Sequence, residues 1–327
     1  MNKKIYYDIQ WLPLVKITSY LETNTQFFTE KDENIPFNEI TTVMSFGPKE
    51  DLLERFPNLK YLISPGAGVD RMNLVYLEKR NIITINCHAN ATSVSEHAWA
   101  MLLSLTRKFC PIVRCSNLKE GKWPDLKTRL TPSFDLSGKT LGLLGYGEIG
   151  QRLAKFGQAF SMELIVYKHK QKNPAPEIVI KQIFTDNELK GFLKTSDVII
   201  SSLPLTAHTK GLIGEKELNY LKQGTFIVNI GRAEVFEEEA LYNCLTKKDK
   251  IAGLAMDPQY NYPKNREEVA DISNQPFYKE QNVLLSPHRA WVSDQATNEI
   301  GKQLAKYLDL IANNKKGYPT VDYALGY

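Results

Sequence analysis

Two side chains in this chain of 327 residues are of the types that could steer a negative charge and move a proton: Arg232 and His288. Arg232 follows the apolar run Thr225–Asn229 and the dipeptide Ile230-Gly231, and His288 follows the run Val283–Ser286 and Pro287. A guanidinium fork binds the carboxylate of an acid or polarises an adjacent ketone. An imidazole gives or takes a proton near neutral pH. Each has a plainer reading, an exposed arginine in a turn leading into a helix and a structural histidine, so it is the pair that argues for a site. Of the other histidines, His88 and His97 suit core or junction positions, His169 a basic turn and His208 a loop.

Residues 141–150, LGLLGYGEIG, place G-x-G-x-x-G between an apolar run and the helix-like stretch Gln151–Phe160. Gly145 permits a tight turn and Gly147 a close approach of the backbone to a pyrophosphate. Gly150 lets the helix pack close to the strand, with its N–H groups aimed at the anion. Three glycines also occur in ordinary strand-to-helix turns. Roughly 20 residues further on, an NAD enzyme presents Asp or Glu to the ribose hydroxyls. This chain has Lys168-His169-Lys170 at the end of the next apolar run. Cations there attract a 2′-phosphate that a carboxylate would repel, which favours NADP over NAD. The alternative is a solvated basic turn ahead of the loop Asn173–Pro176.

Two more segments suit the same chemistry. Ser64-Pro-Gly-Ala-Gly-Val-Asp70 is a glycine turn after a strand, either a plain turn or a nest whose N–H groups hold a carboxylate. In Asp197-VIISSLPLTAHTKGLI a strand ends at Pro204, and Leu203, Pro204 and Thr209 could wall the adenosine and ribose.

The elements that must carry these groups are short β-branched runs alternating with amphipathic stretches. Strands are expected at Lys4–Tyr7, Thr41–Ser45, Tyr61–Ser64, Ile82–Asn86, Thr140–Leu144, Glu163–Tyr167, Asp197–Ser201, Thr225–Asn229, Ala252–Met256 and Val283–Ser286. Helices are expected at Lys49–Phe56, Leu74–Lys79, Ser95–Lys108, Gln151–Phe160, Glu237–Leu245 and Ser293–Asn313. Such alternation predicts parallel sheets with helices on both faces. The glycine motif sits in mid-chain with about 140 residues of α/β pattern before it, in a chain long enough for two domains. The fold class expected is therefore α/β: two doubly wound parallel-sheet domains, a Rossmann nucleotide-binding domain inserted into a flavodoxin-like substrate domain. The substrate domain is expected at 1–98 and 293–327 and the dinucleotide-binding domain at 99–292, with a substrate cleft between them. The segments 119–137 and 260–281 read as long loops.

Composition narrows the class. A net charge of +4, with acids spread among the bases, carries no nucleic-acid signature. No apolar stretch approaches a membrane span and no signal peptide is read, so a cytoplasmic protein is expected. Cys87, Cys110, Cys115 and Cys244 form no C-x-x-C and have no histidine at zinc spacing, so reduced thiols and no metal are expected.

GLLGYGEIG, SSLPLTAHTKGLI, NIGRAEVFEEEAL, GLAMDP and NVLLSPHRA, in that order, resemble the D-isomer-specific 2-hydroxyacid dehydrogenases, and SPGAGVD and NATSVSEHAW resemble the same family's substrate loop and hinge. The likeness spans nearly the whole chain. It implies hydride transfer between NAD(P)H and a small 2-keto acid or D-2-hydroxy acid, in the manner of glyoxylate and hydroxypyruvate reductases, and a homodimer. By position, Arg232 is the substrate-orienting arginine and His288 the acid/base. Asp257 touches the nicotinamide amide, and the Ala67 and Gly68 N–H groups meet the substrate carboxylate. Glu148, Ile149, Leu203, Pro204, Thr209, Ile230 and Gly231 join the three glycines, Lys168 and His169 on the cofactor.

Two positions depart from the family. Lys168 stands where an acid usually reads the ribose, and Tyr262 stands where a Glu usually pairs with the histidine; Glu267 and Glu268 are near in sequence. A neutral phenol favours the imidazolium less than a carboxylate does, so the acid limb of reduction is expected at lower pH than in a Glu-bearing relative. Two other functions fit the same residues: an NAD(P)H-sensing binding protein with weak or no turnover, and an enzyme for a phosphorylated acid read by Arg71 or Arg289. Trp291 suits either a pocket cap or packing at the domain interface.

Overall fold

The computed structural model describes residues 3–109, 120–126, 130–169, 178–263 and 270–327. Cys110, Cys115, Lys170, the loop Asn173–Pro176, Glu267 and Glu268 lie outside the described residues, as do parts of both long loops. The chain forms two units, one made of Met1–Asn90, Pro204–Ala207 and Trp291–Tyr327, the other of Ala91–Leu203 and His208–Ala290.

The first unit is built on five strands, β1 (Lys3–Asp8), β2 (Thr25–Phe28), β3 (Thr42–Ser45), β4 (Tyr61–Ile63) and β5 (Ile83–Ile85), in the order β2-β1-β3-β4-β5. Every pairing is parallel. This is the flavodoxin-like strand order. Successive side chains on a strand face opposite ways, and here both faces are apolar. Ile5, Tyr7, Met44, Ile63 and Ile85 pack on Ile300, Leu304 and Leu308 of the helix Asp294–Ala312. Tyr6, Val43 and Leu62 pack with Leu53, Phe56 and Leu77 on the other side. The long helix begins where Ser293 accepts the Ala296 N–H at 3.0 Å.

The second unit holds β6 (Thr140–Leu144), β7 (Glu163–Tyr167), β8 (Gln182–Phe184), β9 (Val198–Ser201), β10 (Thr225–Asn229), β11 (Ile251–Met256) and β12 (Val283–Leu285). Their order is β12-β11-β10-β9-β6-β7-β8, all parallel, which is the Rossmann arrangement with one added strand. Leu144, Ile165, Ile199, Ile227 and Leu254 form its core with Phe192, Leu241 and Leu245. In a parallel sheet every strand ends at the same edge, so the segments after β6, β7, β9, β10, β11 and β12 share one rim.

Two strands were not expected from the sequence, β2 and β8, and both are sheet edges. Edge strands are short and half-covered, so their apolar signal is weak. The helix expected from Ser95 begins at Ala91. No helix among the described residues is long and apolar enough to cross a membrane.

Candidate active site

The glycine run turns β6 into the helix Glu148–Ala159. Gly145 has φ +104°, where a side chain would be strained, and a Cβ there would also lie 3.0 Å from Ser202 Oγ. A Cβ on Gly150 would run into the Gly145 carbonyl, whereas one on Gly147 would meet nothing within 4 Å. Gly147 is the N-cap and carries no capping side chain, so the helix presents its first N–H groups and its positive end at an open face. That is the cradle a pyrophosphate requires, and a dinucleotide fits it. Glu148 and Ile149 begin this helix. On the same rim Gly231 lies so close to the β9 loop that a Cβ would stand 2.5 Å from the Leu203 carbonyl oxygen.

Lys168 is the first residue past β7 and only 8% exposed. Its Nζ lies 5.8 Å from the Tyr146 ring centroid, within the glycine run, and burial lowers its pKa from the ordinary lysine value. His169 follows, with Nδ1 2.6 Å from Asp186 Oδ2 and its ring nearly parallel to that of His208 at 6.0 Å. Asp186, Tyr146 and His208 were not foreseen around this point. Their roles depend on contacts between segments well separated along the chain.

Arg232 enters the rim from β10, and the turn that carries it is clasped by the buried Asn229. The Asn229 amide donates to the Arg232 carbonyl at 2.9 Å and its Oδ1 accepts the Gly231 N–H at 3.1 Å. Arg232 Nη1 donates to the Gly231 carbonyl at 2.9 Å. Only β11 separates β10 from β12, the strand that leads to His288.

His288 sits in the left-handed region at φ +52°, a costly place for a residue with a Cβ. Its N–H donates to the carbonyls of Asp257 at 2.9 Å and Ser286 at 3.0 Å. The Asp257 side chain, after β11 and 2% exposed, accepts from the Ser286 hydroxyl at 2.5 Å and from the N–H groups of Arg289 at 2.9 Å and Ala290 at 3.1 Å. A buried carboxylate thus holds a serine side chain before the histidine and two backbone N–H groups after it. His97 Nε2 lies 3.0 Å from Ser286 Oγ and 3.7 Å from Asp257 Oδ1. The Ser286 hydrogen goes to the carboxylate, so His97 donates to Ser286. A nucleophilic triad needs the serine hydrogen on the imidazole, and this arrangement is not one.

Tyr262 meets His288, as its position implied. Its hydroxyl lies 2.8 Å from His288 Nδ1 and accepts the Gln259 N–H at 3.0 Å. Gln259 is itself buried, and its amide nitrogen donates to the Ser286 carbonyl at 2.8 Å. No sequence signal singled out Gln259.

In the first unit, the Ser64–Asp70 turn follows β4. The Gly66 carbonyl accepts the Cys87 N–H at 3.2 Å and the Ala67 carbonyl accepts the Asn86 amide at 2.9 Å. Trans peptides point N–H opposite to C=O. The N–H groups of Ala67 and Gly68 therefore face away from the residues after β5, as a carboxylate nest requires. Trp291 packs on Trp11 within the first unit, ring centroids 4.7 Å apart.

The family profile described as "D-isomer specific 2-hydroxyacid dehydrogenase, NAD binding domain" matches residues 99–290. A glyoxylate reductase from Thermococcus litoralis is 31% identical over 84% of this chain and 81% of its own. A hydroxypyruvate reductase from Thermotoga maritima is 32% identical over 85% of this chain and 87% of its own. A D-3-phosphoglycerate dehydrogenase from Archaeoglobus fulgidus is 32% identical over 82% of this chain, which spans about half (48%) of that relative's length. Among solved structures, an NADPH-dependent glyoxylate/hydroxypyruvate reductase from Sinorhizobium meliloti, in complex with NADP and sulfate, shares the fold with a TM-score of 0.80, 20% identity and full coverage of both chains. These relatives are catalysts by name, which favours turnover over cofactor sensing alone. The chain belongs to the D-isomer-specific 2-hydroxyacid dehydrogenases and is an NAD(P)-dependent oxidoreductase acting between 2-keto and D-2-hydroxy acids.

Proposed function

We propose that the chain reduces small 2-keto acids of the glyoxylate and hydroxypyruvate kind, with Arg232 and His288 as its catalytic residues. The observation that carries this is the single rim of the seven-stranded sheet, on which the glycine cradle, the Arg232 turn and the clasped His288 all stand. The N–H groups of Ala67 and Gly68 take the substrate carboxylate. Arg232 orients the acid and stabilises negative charge as it grows on the keto oxygen. His288, protonated, donates from its ring to that oxygen. The dinucleotide is held by Gly145, Gly147, Glu148, Ile149 and Gly150, with Leu203, Pro204, Thr209, Ile230, Gly231 and Asp257 along its length; when bound, it supplies the hydride.

Lys168 and His169 read the adenosine ribose. The cation at Lys168, in place of an acid, makes NADP(H) the preferred cofactor. The working form is a cytoplasmic homodimer. The test is loss of reduced-nicotinamide absorbance on adding glyoxylate or hydroxypyruvate, with NADPH and NADH in turn. Replacing His288 by Ala lowers kcat by about 10²–10⁴-fold. Equal activity in Arg232→Ala, His288→Ala and the parent would refute the assignment, and sedimentation as a monomer would refute the dimer.

A further inference from the structure

We propose that Gln259 and Tyr262 act as positioning residues that set the tautomer of His288, keeping the hydrogen of the neutral ring on Nε2. The argument is one of donor and acceptor capacity. A backbone N–H only donates, so the Gln259 N–H at 3.0 Å occupies an acceptor site of the Tyr262 oxygen. Accepting that bond polarises the phenol and strengthens its own O–H as a donor. Nδ1 of His288 stands 2.8 Å away. A phenol hydrogen bond to Nδ1 requires Nδ1 to carry a lone pair, and a neutral imidazole then carries its hydrogen on Nε2. The Gln259 side chain is in turn tied to the Ser286 carbonyl at 2.8 Å, which anchors this residue beside the His288 loop.

A carboxylate at Tyr262's place can only accept, and would draw the hydrogen to Nδ1. The neutral ring would then turn a lone pair toward the keto oxygen. With the phenol, Nε2 presents a hydrogen both as imidazole and as imidazolium. Taking the roles proposed above, the keto acid binds with either charge state, while turnover still needs the imidazolium. The proton leaves Nε2 for the new alkoxide and the ring ends neutral; no other group changes its proton count. The affinity for keto acid and the rate of its reduction therefore part company as pH rises.

The test uses the ¹⁵N signals of the imidazole rings in the full chain without substrate, with the His288 signals assigned by their loss in His288→Gln. Above the His288 transition the parent protein is expected to show a protonated Nε2 and a hydrogen-bonded, unprotonated Nδ1. Tyr262→Phe should change the tautomer ratio by about tenfold, the worth of one hydrogen bond. A dominant Nδ1–H form in the parent overturns the proposal, and so does a ratio that Tyr262→Phe leaves unmoved. The kinetic arm follows KM and kcat for glyoxylate against pH. A flat KM beneath a falling kcat supports the proposal, and a KM that rises tenfold with the fall overturns it. The spectroscopic arm needs no turnover, so its outcome stands even where no keto acid is reduced and the proposed function fails.

Discussion

Tyr262→Glu should move the acid limb of keto-acid reduction to higher pH. Reduction needs protonated His288, and rate is lost as pH rises through its pKa. The native partner is a neutral phenol oxygen 2.8 Å from Nδ1. Glutamate is the shorter side chain, so its carboxylate settles farther off. At about 6 Å and an effective dielectric constant of about 20, the attraction to the imidazolium is ~3 kcal/mol, or about two pKa units. Exposure of the loop to solvent reduces this, leaving about one unit as the expected shift. The sign is fixed: a carboxylate favours the charged ring, raises its pKa and extends reduction to higher pH. The assay is kcat for glyoxylate at saturating reduced cofactor across the pH range, for parent, Tyr262→Glu and Tyr262→Phe. Tyr262→Phe, with neither charge nor hydroxyl, separates the charge effect from loss of the hydrogen bond. A limb that stays in place in Tyr262→Glu, or moves down, refutes the electrostatic reasoning.

Other changes test the supports of the site. Asp257→Ala leaves the Ser286 hydroxyl and two N–H groups without their carboxylate, and should cost ~3 kcal/mol or more of stability by denaturant titration. A loss under 1 kcal/mol would show the clasp to be dispensable. His288→Gly relieves φ +52° but loses the ring's bond to Tyr262, so stability should stay within about 1 kcal/mol of the parent while activity is removed. A loss above ~2 kcal/mol would contradict the strain argument. Lys168→Asp should lower the NADPH-to-NADH ratio of kcat/KM by about 100-fold. In the parent, burial lowers the Lys168 pKa. Its charge is lost at lower pH than an exposed lysine's, so preference for NADPH should decline toward alkaline pH earlier than for an exposed reader. A preference constant across that range would show that Lys168 does not read the phosphate.

What could be read from the sequence follows the range of the interactions. The strands Thr140–Leu144, Glu163–Tyr167 and Thr225–Asn229 have the expected bounds, because each is an apolar run buried on both faces. The edge strand Thr25–Phe28, TQFF, alternates burial and gives a shorter, weaker run. The left-handed turn at Gly145 was legible because it is local, and so was the exit of Lys168 from its strand. The clasp around His288 was not. His97 meets Ser286 across 189 residues of sequence and Asp257 meets Ala290 across 33, distances over which residue type alone says nothing of contact. Tyr262 was found by its position, but its alignment by Gln259 needed coordinates.

The His288 loop shows how a strained residue is kept in place. A left-handed histidine costs of order 1–2 kcal/mol relative to a relaxed one. Against this stand three hydrogen bonds into the buried Asp257 carboxylate, each worth ~1.5–3 kcal/mol as bonds to a charged acceptor. Together the bonds exceed the strain at either end of these ranges, before the cost of burying the carboxylate is counted. The backbone therefore has little freedom to relax, and the ring can change direction only by side-chain rotation. Tyr262 opposes that rotation from the Nδ1 side. Tyr262 and His288 share one hydrogen bond, which either single change removes, so the double variant His288→Gln with Tyr262→Phe should be less destabilised than the sum of the single variants by about 1 kcal/mol. Changes that add within about 0.3 kcal/mol would mean that the phenol does not restrain the ring.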